Sequence, residues 1–69
     1  MKYIIFDNKY PVLFPESIIH SEIEIEDKIP TSAGHYSPSK GVYDRSESLG
    51  LEPKEGDLEL IISFLEEMK

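Results

Sequence analysis

Two short runs near the amino terminus, Lys2 to Asp7 (KYIIFD) and Tyr10 to Phe14 (YPVLF), restrict the fold of this chain more than any other feature. Both are rich in aromatic and β-branched residues, which favour strands, and they are joined by Asn8-Lys9. Asn tolerates the left-handed backbone of a tight hairpin turn, so the pair reads as a hairpin with a two-residue loop. That loop would place Tyr3, Ile5, Val12 and Phe14 on one face and Ile4, Phe6 and Leu13 on the other. Both faces are then apolar. A sheet that is oily on both sides needs cover on both, and a single helix supplies only one layer. The second face must meet the middle of the chain, another subunit or a partner.

The demand is sharpened by size. With 69 residues the chain makes one domain, residues 1–69, and a domain of that size buries only about 60% of the surface its unfolded form exposes. Domains below roughly 70–80 residues usually gain stability from disulfides, a metal, self-association or unusually good packing. The absence of cysteine removes disulfides and thiolate metal sites. Packing or a homo-oligomer is therefore the expected supplement, and a reducing cytoplasm is permitted.

Pro15 to Ile29 (PESIIHSEIEIEDKI) supports two readings. Pro15, Glu16 and the Ile19/Ile23 spacing suit a helix, whereas Glu22-Ile23-Glu24-Ile25-Glu26 alternates as a half-buried strand does. A helical turn near residues 16 to 20 followed by an extended piece satisfies both. Thr31 to Tyr36 and Gly41 to Leu51 then read as a second hairpin around Ser37-Pro38-Ser39-Lys40-Gly41. A symmetric loop would oppose Tyr36 to Val42, Gly34 to Asp44 and Ser32 to Ser46, giving one side made of Ser32, Gly34, Ser46, Ser48 and Gly50. Small residues there admit a close neighbour or line a ligand pocket. From Pro53 to Met68 the chain reads as an amphipathic helix with Leu58, Ile61, Ile62 and Leu65 on its core face, widened by Leu60 and Phe64. The expected fold is α+β: two antiparallel hairpins in a four- or five-stranded sheet, with the carboxy-terminal helix on one face.

Fourteen acids against seven bases give a formal net charge of −7. Such a surface repels phosphate backbones, so direct nucleic-acid binding is not expected. The apolar run Tyr3 to Phe6 is too short for a signal-peptide core, and no stretch approaches the ~18 apolar residues of a membrane span. The two histidines, His20 and His35, lack zinc-motif spacing, no nucleophile elbow surrounds any Ser, and Ser37 to Gly41 lacks phosphate-loop spacing. No enzymatic activity, cofactor or metal is expected. The acids Glu22, Glu24, Glu26, Asp27 and Asp44 are candidates for contact with a basic partner, with carboxylates in a row if the segment is a strand. In the alternative reading Ser32, Gly34, Lys40, Arg45, Ser46 and Ser48 bind an anionic small molecule, such as a nucleotide signal, in an oligomer.

The order FPESIIHSEI, PTSAGHY and SESLGLEPKEGD leading into LELIISFLEE resembles a group of small uncharacterised proteins of phages and prophages. The matching residues are Phe14, His20 and Glu22; Ser32, Ala33, Gly34 and Tyr36; Ser46 to Leu51; and Asp57. The chain departs from that pattern at His35, where an aromatic residue is usual, and in the acidic run Glu24 to Asp27. The resemblance implies an accessory product of a mobile element acting in the cytoplasm of a bacterial host. With the acidic surface, it leads to the expectation of a protein that binds and inhibits a host protein, such as a nucleic-acid-handling or defence factor.

Overall fold

The computed structural model describes residues 1–68. Four strands, β1 (Lys2–Phe6), β2 (Tyr10–Phe14), β3 (Pro30–Ser37) and β4 (Gly41–Tyr43), form one antiparallel sheet in the order β2-β1-β3-β4. A helix, α1 (Asp57–Glu67), packs on one face, so the α+β architecture with one carboxy-terminal helix is the one expected. β1 is central because its apolar residues are the ones both layers need. Tyr3, Ile4, Ile5 and Phe6 are all essentially inaccessible to solvent.

The first hairpin differs from its expected register. Asp7 and Asn8 both adopt positive φ (53° and 56°), and the Phe6 carbonyl accepts from Lys9 N–H. Phe6 nevertheless pairs with Tyr10, leaving three residues, Asp7 to Lys9, in the loop. One additional loop residue turns β2 over, because side chains alternate with a period of two. Val12 and Phe14 therefore join Ile4, Phe6 and Ala33 on one face, while Leu13 joins Tyr3 and Ile5 on the other.

The same alternation decides how β2 meets solvent. Asp7 N–H bonds to Ile29 O on the β3 side, so the even-numbered residues of β1 bond to β2. The backbone groups of β2 that point away from the sheet then belong to Pro11 and Leu13. Pro11 has no N–H to offer, which disfavours strand addition along this edge.

Between β1 and β3 a bulge opposes Ile5 to Ser32 and Phe6 to Pro30, leaving Thr31 as the additional residue. Its hydroxyl donates to Ile5 O (3.1 Å) and accepts from Asn8 N–H (2.9 Å), so the irregularity carries its own partners. In the second hairpin Tyr36 opposes Val42 as expected, but β4 ends at Tyr43. Asp44 takes a positive φ of 61°, and the proposed pairs Gly34–Asp44 and Ser32–Ser46 do not form. Ser46 instead pairs with Leu51 across a tight loop. Gly34 is small for a local reason: a Cβ there would lie 2.9 Å from Pro53 Cγ and 3.0 Å from Tyr43 O.

Helix α1 begins at Asp57, four residues later than Pro53 suggested, because Gly56 takes φ 97° and closes a turn first. Its inward stripe is also rotated. Asp57 and Ile61 are buried, Leu58, Leu60, Phe64 and Leu65 are half-buried, and Ile62, expected in the core, is 41% exposed.

The opposite sheet face is covered by the chain itself. Ile18, Ile23, Ile25, Leu49 and Leu51 pack on Ile4, Phe6, Phe14 and Ala33. This middle segment has a turn at Pro15–Ile18, a 3-10 turn at His20–Glu22, an extended stretch through Ile25, and a further turn in which Lys28 N–H bonds to Ile25 O. The strand implied by Glu22–Glu26 is thus absent, although its alternation survives: Ile23 and Ile25 are half-buried and Glu24 and Glu26 exposed.

Candidate functional site

Two sets of polar residues stand out, one sealed under the helix and one open on the far face. The sealed set centres on Asp57, which is only 3% exposed. Its Oδ2 accepts from the Tyr3 hydroxyl (2.7 Å) and from Lys54 N–H (2.9 Å), and its Oδ1 accepts from the Ser32 hydroxyl (2.9 Å). The carboxylate also sits at the amino end of α1, where the helix dipole favours negative charge. Burial, reinforced by the adjoining Asp57 carboxylate, pushes the Tyr3 hydroxyl well above the usual phenol range, so it stays a donor. The cluster ties α1 to β1 and β3 at one point and fixes the rotation of the helix.

A second buried polar group, His20, lies on the other face. Its Nε2 is 2.9 Å from the Gly34 carbonyl, and a carbonyl only accepts, so Nε2 carries the proton. Burial lowers its pKa below the ordinary 6.5. The ring packs edge-on against Phe14 (5.3 Å) and against His35 (5.8 Å), which in turn lies beside Tyr43 (5.6 Å). His35 Nδ1 reaches Glu16 at 3.3 Å. Both histidines thus serve packing and hydrogen bonding. Among the described residues no group of three or more His, Cys, Asp or Glu is placed to hold a metal ion.

The open set is a groove of about 600 Å³ beside the covering segment. Phe6, Ile23, Ile25, Pro30 and Leu49 give it apolar walls, and Glu24 and Glu26 stand exposed at its margin. The extended backbone explains the arrangement: Ile23 and Ile25 point to the core, so the glutamates between and beyond them point out. Neither glutamate takes part in an ion pair among the described residues. The one cation at the groove, Lys28, is held elsewhere. Its Nζ lies 3.8 Å from Asp7 Oδ2 and 4.0 Å from the centre of the Tyr10 ring.

The expected acidic row is therefore broken up. Glu22 sits on the 3-10 turn, where its carboxylate accepts from Ile19 N–H (3.1 Å). Asp27 has φ 65° at the tip of the Ile25–Lys28 turn, just past Glu26. Asp44 is separate from the groove, at the end of β4, where its side chain accepts from Arg45 N–H.

The six residues of the alternative ligand pocket are also dispersed. Ser32 is buried against Asp57, Gly34 is covered by Pro53, and buried Ser46 accepts from Leu49 N–H. Lys40 lies over the Tyr43 ring (5.0 Å), Arg45 is exposed, and Ser48 is exposed and accepts from Ser21 N–H. None of the six lines the acidic-margined groove, nor a second, apolar groove of about 410 Å³ between β2 and α1, lined by Pro11, Val12, Leu13, Phe64, Leu65 and Met68 among others. Strand pairing between copies is disfavoured along β2 by Pro11.

The Asp57 cluster is what sequence reasoning missed. Its signal was present as one acid, four residues before Ile61, on the stripe that faces the sheet.

No described helix is long and apolar enough to cross a membrane. The chain matches no protein-family model, and neither the curated proteins nor the solved structures contain a match to it.

Proposed function

We propose that this chain is a non-enzymatic accessory protein of a phage or prophage that binds and inhibits a host protein, such as a nucleic-acid-handling or defence factor. Its contact surface is the groove between Phe6, Ile25 and Leu49 with Glu24 and Glu26 at the margin, flanked by Glu22 and Asp27. The observation that carries this reading is the pairing of an open apolar floor with carboxylates that form no ion pair among the described residues. Proteins that handle nucleic acids present basic surfaces, and a negative groove complements them. The resemblance to phage and prophage proteins supplies the setting, a bacterial host cell.

The test is an affinity pull-down from bacterial host lysate at low and moderate salt, using the wild type and a variant with Glu22, Glu24, Glu26 and Asp27 all changed to Ser. A captured partner should weaken as salt rises and vanish with the variant, whose folding is checked by circular dichroism. Capture by a folded variant at wild-type level removes the proposal.

A further inference from the structure

Resting on that reading, the groove is specific about what enters it. We propose that its occupant is a single arginine side chain, projected from an extended segment of the partner. An arginine carries an apolar stem and a planar, weakly hydrated head. The groove offers both complements: Phe6, Ile23, Ile25 and Leu49 receive the stem, and Glu24 and Glu26 receive the head from either side of Ile25. A guanidinium has five N–H donors in one plane and can serve two carboxylates together, whereas an ammonium acts as a compact point charge.

The position of Lys28 leaves Glu24 and Glu26 without its charge. Lys28 lines the groove but forms no ion pair with Glu24 or Glu26. Asp7 (3.8 Å) and the Tyr10 ring (4.0 Å) hold it aside instead. Asp7 and Tyr10 belong to the first hairpin and its turn, so the device couples that turn to the groove. Lys28 is a positioning residue here: it sets affinity through where it is kept.

The probes are three acetylated, amidated nonapeptides of alternating Ser and Val into which three arginines, three lysines or three citrullines are built. Each is titrated into the full-length, isotopically labelled protein while backbone amide resonances are followed. The arginine peptide should shift Ile23 to Glu26 and Leu49, the lysine peptide should bind about two- to fivefold more weakly, and citrulline should not bind. Asp7→Asn keeps the acceptor for Ile29 N–H but releases Lys28, and should weaken the arginine peptide by about two- to fivefold. Lys28→Met should cancel that loss in the double variant, and Tyr10→Leu should reproduce it in the single one. Equal binding of the arginine and lysine peptides, shifts outside the groove, or an Asp7→Asn effect that persists without Lys28 overturns the inference. If partner capture still depends on the four acids while the peptides fail to discriminate, the acidic interface stands and the arginine inference alone falls.

Discussion

Asp57 and Glu24 carry the same functional group and sit on opposite faces of one sheet with opposite consequences. Asp57 is buried, yet Tyr3, Ser32 and the Lys54 amide satisfy it with three donors at a helix start. Glu24 and its neighbour Glu26 are exposed and form no ion pair among the described residues. The first carboxylate spends its charge holding the fold together, and the second keeps it available. In a domain this small, saturation by internal donors separates a structural acid from one that faces outward.

Removing the buried carboxylate is the harshest challenge to that contrast. Asp57→Ala leaves the Tyr3 and Ser32 hydroxyls without their acceptor in a dry interior and should cost about 3–5 kcal/mol, read from urea unfolding. A loss under about 1 kcal/mol would place Asp57 among the dispensable acids. Tyr3→Phe deletes one donor and keeps the ring, so a loss of about 1.5–3 kcal/mol is expected in the same measurement.

His20 sharpens the comparison from the basic side. Its pKa is lowered by burial, so the unfolded chain binds more protons than the folded one once the pH drops below the ordinary value of 6.5. Stability is fully present above that pH and declines as pH falls through the folded pKa. The urea midpoint of the wild type should therefore drop between pH 7.5 and 5. His20→Gln should flatten the profile over that interval, and an equal slope in both proteins would detach the effect from His20. The mildest change is expected on the open face. Glu24→Gln with Glu26→Gln should alter stability by no more than about 0.5 kcal/mol while partner capture is lost. A large loss of stability would make these glutamates structural after all.

Much of this architecture was legible in the chain. The two-faced apolar character of KYIIF and YPVLF required two covering layers, and two are found, α1 on one side and residues 18–25 with 49–51 on the other. The turn at Asp7 to Lys9 was not legible, because Asp7 had to leave its strand at positive φ, and that one residue reversed the faces of β2. The rotation of α1 was hidden for a similar reason. A periodicity reading gives the core to Ile62 over Asp57, yet the donors from Tyr3 and Ser32, far apart in sequence, outweigh side-chain hydropathy. Of the acidic site, the exposure of Glu24 and Glu26 followed from alternation, and the detachment of Asp44 did not, since it depends on where β4 stops.

Pro11 on the free edge of β2, and the mere three residues of β4 on the other, bear on how choosy this molecule is. A protein that captures its target by lengthening a sheet reads mostly backbone and accepts many sequences. With both margins poorly suited to that mode, discrimination falls to individual side chains. Under the proposed function, a target held by one side chain is released by one well-placed substitution of its own, so resistant variants of that target should carry single changes at the contacting residue.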